Sequence, residues 1–309
     1  MAETGAQNGD TRSPALPLDD NLYTLDDETS DFFKVQTGIQ DTEELKKHLL
    51  RVQAEAYAVY PYPCIRGFLF LKLKLSQLPA YVRLLAMGRE RQGAILLDIG
   101  CCFGNDIRKA VYDGYPIENI IGSDLRGEFW ELGHRFFKST PTTFPVPFIP
   151  GDVFDPAHLA PVPPFRVQPD EPAPELSTLT SLNPLRGHVS TIHASAFFHL
   201  FSEESQLKLA RALAGLLSPA PGSMILGWHV GRPEKGFRYE VLPPHRQGNP
   251  MFCHNPESWK AMWEQVFEEG VVKVEAELRE EAERRDWKDM PGVAPGAKFY
   301  ALVWSVTRL

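Results

Sequence analysis

Cysteine is scarce. Four residues in 309, Cys64, Cys101, Cys102 and Cys253, are too few and too scattered for a disulfide framework. Adjacent Cys101 and Cys102 cannot easily bridge each other, and the absence of a C-x-x-C pair argues against zinc. Basic charge is also short: 32 lysines and arginines face 40 aspartates and glutamates, for a net charge of −8. That balance excludes a chain built around nucleic-acid phosphates. No basic stripe offsets it, since Arg284 and Arg285 sit among acids. Long apolar runs are missing too. The longest, residues 64–75, is broken by Arg66, Lys72 and Lys74, so no bilayer-crossing helix and no membrane partner are expected. The first twenty residues are polar and carry no signal-peptide core, which gives a cytosolic (cytoplasmic) expectation. No acidic cluster at ligand spacing joins His193 or His229, so no metal is expected.

What remains is ordinary for a globular chain, with 43% hydrophobic and 23% charged residues. The length suits one elaborated domain, or one domain with a modest cap. Residues 1–20 have little to bury and read as a disordered tail. Over 41–58 the positions Leu45, Leu49, Val52 and Ala56 recur at helical spacing. Tyr60-Pro61-Tyr62-Pro63 then forbids a continuous helix, and a second helix is expected over 65–87, interrupted at Pro79. From Gly93 onward short apolar runs alternate with helical spacing. Strands are expected at 94–99, 119–124, 143–150, 190–194 and 223–228, with two late strands at 271–276 and 298–307. Ser202 and Asn255 have the form of helix N-caps. Such alternation means a parallel sheet with right-handed crossovers. The late strand pair without a helix between them adds an antiparallel edge. The proline-rich stretch at about 155–174 reads as a surface insertion near the active edge.

The chemistry concentrates where the strands end. Asp98 closes an apolar run and enters a turn with Gly100 and Gly104 four apart, where glycine lets backbone approach a ligand. Asp124 ends the second run, placed to accept from both hydroxyls of a ribose. Asp152 follows the third, within reach of an adenine amino group. Three acids at three successive strand tips are more specific than one glycine motif. The bland alternative is that each merely caps the next helix.

Leu97-Asp98-Ile99-Gly100-Cys101-Cys102-Phe103-Gly104, then Ile121-Gly122-Ser123-Asp124-Leu125, then Gly151-Asp152-Val153-Phe154 resembles the motif series of class I S-adenosylmethionine-dependent methyltransferases. The flanking segments YPYPCIRGFLFL and ASAFFHLFSEESQLKLARAL are similar to fungal natural-product enzymes, in particular those that methylate the carboxyl group of farnesylated aromatic acids in meroterpenoid pathways. The resemblance covers roughly residues 22–309. It implies an α/β Rossmann-like fold: a seven-stranded, mostly parallel sheet with an antiparallel terminal strand, behind a helical cap or lid at 21–92, the catalytic domain occupying 93–309. By that likeness S-adenosyl-L-methionine is the cofactor. Asp98, Gly100, Cys101 and Gly104 shape its turn, Asp124 and Leu125 hold the ribose, and Asp152 and Val153 the adenine. One departure stands out: the middle of the usual glycine triplet is Cys102, whose backbone is expected to avoid strongly positive φ.

Acceptor residues are expected past the fourth and fifth strands: His193, Ser195, His229, Arg232 and His254, the histidines orienting the acceptor or acting as base. Tyr60, Tyr62 and Arg66 offer an aromatic lid with a cation. Each of these has a structural alternative, and His199 in particular reads as packing, with Trp228 and Trp304 as core. The expected partner is a small apolar natural product, its carboxyl group methylated. A homodimer is left open, as are a phenol or carbon acceptor, an isomerase, cyclase or scaffold on the same fold, and a nicotinamide oxidoreductase.

Overall fold

In the computed structural model, which describes residues 16–238, 251–281 and 298–309, aspartates open the first two helices. Asp26 caps α1 (Asp27–Thr37) by accepting from the Thr29 N–H, and Asp41 caps α2 (Thr42–Val59) by accepting from the Glu44 N–H. α2 agrees with the expected helix; α1 had no counterpart in the sequence reading. Residues 16–20 are not tail but structure: the Tyr57 hydroxyl donates to the Leu16 carbonyl and Arg66 Nε to that of Pro17. The rest of the expected tail, Arg284-Arg285 and most of the charge run beyond Glu281 lie outside the described residues.

The single helix expected over 65–87 does not form. A short α3 (Pro63–Arg66) ends at Gly67, and Phe68 takes left-handed backbone with φ 56°. Turns at Leu69–Leu71 and Leu75–Gln77 then lead to α4 (Tyr81–Glu90). Packing explains the break. Phe68, Phe70, Leu71 and Leu73 are all buried in one cluster with Phe103, Phe129 and Phe136, and a regular helix would point some of them outward. Burial of such side chains contributes about 1.5–3 kcal/mol each, enough to outweigh one left-handed residue.

β1 (Ile95–Ile99) is buried at every position, as an interior parallel strand is. It is followed by α5 (Asn105–Tyr112), β2 (Ile120–Asp124), α6 (Gly127–Phe136), β3 (Phe148–Pro150), a single-turn α7 (Pro156–Leu159), β4 (Val189–His193), α8 (Glu203–Leu216) and β5 (Met224–Gly231). β6 (Gly236–Arg238) and β7 (Met251–Cys253) form a small separate hairpin, unforeseen from the sequence. α9 (Pro256–Trp263), β8 (Val272–Glu281) and β9 (Phe299–Arg308) complete the chain. Ser202 and Asn255 cap α8 and α9, the latter through a full capping box.

The sheet order is β3-β2-β1-β4-β5-β9-β8. β1 pairs in parallel with β2 and β4, and β9 runs antiparallel between β5 and β8. This is the α/β, seven-stranded, mostly parallel Rossmann-like sheet expected, and its reversed strand departs from the arrangement of a nicotinamide-binding sheet. β3 is shorter than expected because Phe144 and Val146 reach the core from a turn and not from a strand. The strand order reverses between β1 and β4, which opens a crevice at the carboxyl ends of β1, β2, β4 and β5.

Candidate active site

Asp98, near the end of β1, does not stand alone. Its Oδ1 lies 2.8 Å from His193 Nδ1 at the end of β4, and parallel pairing sets Asp98 directly beside His193. His193 Nε2 lies 2.6 Å from Ser195 Oγ, which also accepts from the Trp228 N–H of β5 at 3.2 Å. A carboxylate accepts, so Nδ1 carries the imidazole proton; Nε2 then accepts from the Ser195 hydroxyl. Both Asp98 and His193 are buried. Burial disfavours a charged imidazole, but the Asp98 carboxylate outweighs it and His193 is raised above its ordinary range. The sequence placed Asp98 at the first strand tip and His193 with Ser195 at the fourth, and did not foresee their hydrogen-bonded chain.

The turn after β1 differs in detail from the expectation. Gly100 and Gly104 both have φ 72°, and Cys102 has φ 50°, against the sequence-based view that Cys102 would avoid positive φ. The Cys102 N–H donates to Asp124 Oδ2 at 2.9 Å, and that charge-assisted bond holds the strained residue in place. A Cβ on Gly100 would meet the Phe197 ring at 2.7 Å, and one on Gly104 the Trp130 ring at 2.7 Å. Glycine at both places therefore serves backbone conformation and close packing of rings, whatever it also does for a ligand.

Asp124 is half-buried at the tip of β2. Its Oδ1 accepts from the Arg126 N–H at 3.0 Å, and burial raises its carboxyl despite these two backbone donors. Asp152, after β3, is exposed, and its Oδ1 accepts from the Phe154 N–H at 2.9 Å. Both acids thus hold local turns, but neither caps the helix that follows, as the bland alternative had it: the N-cap of α6 is Arg126, without a side-chain bond, and that of α7 is Asp155. Beside them two large apolar side chains face solvent, Leu125 at 59% exposure and Phe154 at 38%, while Val153 is buried. Exposed apolar surface flanking two acids with spare lone pairs is the chemistry that an adenosine requires.

Of the remaining expected residues, the histidines and arginines are not gathered at this crevice. His229 is buried among Phe198, Trp259 and Trp304, and its Nδ1 accepts from Trp304 Nε1–H at 3.0 Å. Burial holds it well below its usual range. His254 lies beside Phe252 and Trp259, bonded to Ser258 Oγ at 2.8 Å, and burial lowers it to about 4. His199 packs as expected, its Nδ1 accepting from the Val230 N–H. Arg66 is spent on the Pro17 carbonyl. Arg232 donates to the Phe237 carbonyl, and its N–H to that of His254. Tyr60 and Tyr62 do face the crevice side: their rings are 4.3 Å apart, Tyr62 lies 5.9 Å from Phe129, and the Arg126 guanidinium sits 4.4 Å over Tyr60. Trp304 is core; Trp228 is only half-buried, with Lys74 Nζ 5.7 Å over its ring.

Among the described residues no group of three or more His, Cys, Asp and Glu could hold a metal, and no helix is long and apolar enough to cross a membrane.

Residues 18–71 match the family model of the meroterpenoid methyltransferase N-terminal domain. The chain is 30% identical to the methyltransferase ausD of Penicillium brasilianum, over 99% of this chain and 98% of the relative. It is 32% identical to the asnovolin E/chermesin D methyltransferase nvfJ of Aspergillus novofumigatus, over 86% of this chain and 84% of the relative. With the O-methyltransferase atr3 of Stereocaulon alpinum it shares 32% identity over 73% of this chain, a stretch that spans only 58% of that longer relative. Among solved structures it is similar to an S-adenosylmethionine-dependent methyltransferase from Mesorhizobium loti, 16% identical, with a TM-score of 0.38 over 76% of this chain and all of that one.

Proposed function

The chain belongs to the class I S-adenosylmethionine-dependent methyltransferases, in the group that holds these fungal enzymes, and on that premise we propose that it methylates the carboxyl group of a small apolar natural product. Asp98 serves the cofactor's ammonium, Asp124 with Leu125 its ribose, and Asp152 with Val153 and Phe154 its adenine. When bound, S-adenosylmethionine supplies an electrophilic methyl group, which an acceptor oxygen takes by in-line displacement. The chain's task is then to position two reactants and exclude water. His193 fixes the Asp98 carboxylate, and Asp124 fixes the Cys102 turn.

One observation carries the acceptor reading: the histidines expected past the strand ends are already committed. Burial keeps His229 and His254 neutral in an aromatic cluster, and His193 is clamped between Asp98 and Ser195. A carboxylate suits such a site, because it is ionised at neutral pH and needs no base. Tyr60 and Tyr62 give the apolar wall that the rest of the molecule would meet.

The Ser195–His193–Asp98 chain favours a second reading. A phenol could pass its proton to Ser195 Oγ as the Ser195 proton moves to His193 Nε2, leaving an imidazolium paired with Asp98. The pH–rate profile under saturating cofactor separates the two. An ester-forming enzyme gives a flat profile from about pH 5 upward. A rate that climbs with pH through a group titrating above the usual histidine range, and is lost in Ser195→Ala, would establish the phenol reading instead.

A further inference from the structure

Asn105 and Asp106, the first two residues of α5, reach back to the turns that precede α4. Asn105 Nδ2 donates to the Phe70 carbonyl, and Asp106 Oδ1 accepts from the Leu75 N–H at 2.9 Å. The four residues between those two anchors, 71–74, are thereby fixed against the glycine turn of β1. Lys74 is one of them, half-buried, with its Nζ over the Trp228 ring. Among the described residues no carboxylate lies within ion-pair distance of that ammonium. Its charge is nevertheless felt at His193, Cys102 and Asp106, residues at or after the ends of β4 and β1.

Lys74 also opens onto a cleft of about 80 Å³. The apolar walls are Leu69, Leu78, Trp228 and Val303, and Lys72 and Arg279 add two further cations against the single acid Glu281. Arg279 is already paired with Glu277, and Lys72 is exposed. Lys74 is therefore the cation of this cleft that is half-buried and, among the described residues, held in no ion pair, although Asp106 feels its charge. The lining of the cleft sets cations beside apolar walls, the combination that a carboxyl group on an apolar molecule requires. A carboxylate taken out of water needs a positive or hydrogen-bonding partner, and the cations expected to supply one, Arg66 and Arg232, are engaged with backbone carbonyls.

We propose that Lys74, seated over Trp228 beside the β1 turn, is the residue that binds the acceptor's carboxylate and selects acids over neutral molecules of the same shape. This rests on the carboxyl-methylation reading above. Lys74 Nζ donates to one carboxylate oxygen and leaves the other, with its lone pairs, for the methyl group.

The test uses farnesoic acid and its primary amide as probes, with binding measured by calorimetry on the full chain saturated with S-adenosylhomocysteine. The wild type is expected to bind the acid at least about tenfold more tightly than the amide, as charge-assisted bonds allow. Lys74→Met is expected to abolish that preference and Lys74→Arg to keep most of it. Affinity for S-adenosylhomocysteine, unchanged in both variants, shows that the site is folded; should the Met variant fail that check, Lys74→Gln is read in its place. A wild type that prefers the acid, with a neutral variant that prefers it equally, overturns the role of Lys74 alone. A wild type with no preference overturns the carboxyl reading and this proposal together.

Discussion

Replacing His193 by phenylalanine keeps a ring of similar volume in the core and removes both of its nitrogens. The consequence follows from burial. Asp98 is 3% exposed and His193 2%, so the variant leaves a buried carboxylate without the donor that sits 2.8 Å away in the wild type. Breaking one side of a buried pair costs about 3–5 kcal/mol. A ceiling exists as well, because an isolated carboxyl group can take up a proton, and neutralising one of ordinary acidity at pH 7 costs about 4 kcal/mol. His193→Phe should therefore lose about 3–4 kcal/mol at pH 7 in urea unfolding. Asp98→Asn alone should lose less, about 1–2 kcal/mol, since its amide oxygen still accepts from Nδ1–H. The sign of the coupling is the decisive part. In the double variant the buried charge is gone, so Asp98→Asn should restore roughly 2 kcal/mol to His193→Phe. If the two losses simply add, the residues are not a buried charge pair and the geometry assigned to the end of β1 is wrong.

Asp124→Ala should weaken S-adenosylmethionine binding by about 1–3 kcal/mol in calorimetry, since the carboxylate also holds the Cys102 and Arg126 backbone N–H groups; Asp152→Ala, at an exposed position, should do less. Unchanged binding in both would remove the basis of the cofactor assignment. Methyl transfer should survive EDTA, and a loss that magnesium restores would reveal a metal site among the strand-tip acids. His229 and His254 are held neutral by burial, so the unfolded chain binds more protons than the folded one below about pH 6.5. Stability from each should be intact above that value and fall by about 1.4 kcal/mol per pH unit below it, for His254 down to about pH 4; a melting temperature flat from pH 7 to pH 5 would contradict this.

The sheet was legible because β1, β2, β4 and β5 are short, largely apolar runs that stop at or beside a glycine, an acid or a histidine, a pattern that buried parallel strands impose. Ser202 and Asn255 were legible for a different reason: a cap is a local device, complete within four residues. The segment 65–87 was not, because its breaks answer to Phe103, Phe129 and Phe136, which lie far along the chain. The same holds at the site. Asp98, Asp124 and Asp152 could be read from where their strands stop, whereas the bond from Asp98 to His193 depends on which strands become neighbours. His229, Arg232 and His254 follow or end strands as an acceptor site would require, yet the folded chain turns them into an aromatic core and a backbone clamp. Lys74 was hidden in an apparent helix, and only the turns that replace it bring its ammonium over Trp228.

The central claim is methyl transfer from S-adenosylmethionine to a carboxyl oxygen, and the product decides it. The purified protein is incubated with methyl-labelled S-adenosylmethionine and a panel of terpenoid and polyketide molecules that carry both carboxyl and phenol groups, and the labelled product is treated with aqueous base. Saponification is expected to release the label as methanol and to regenerate the starting acid. Label that resists saponification, on a phenol oxygen or a ring carbon, would contradict it.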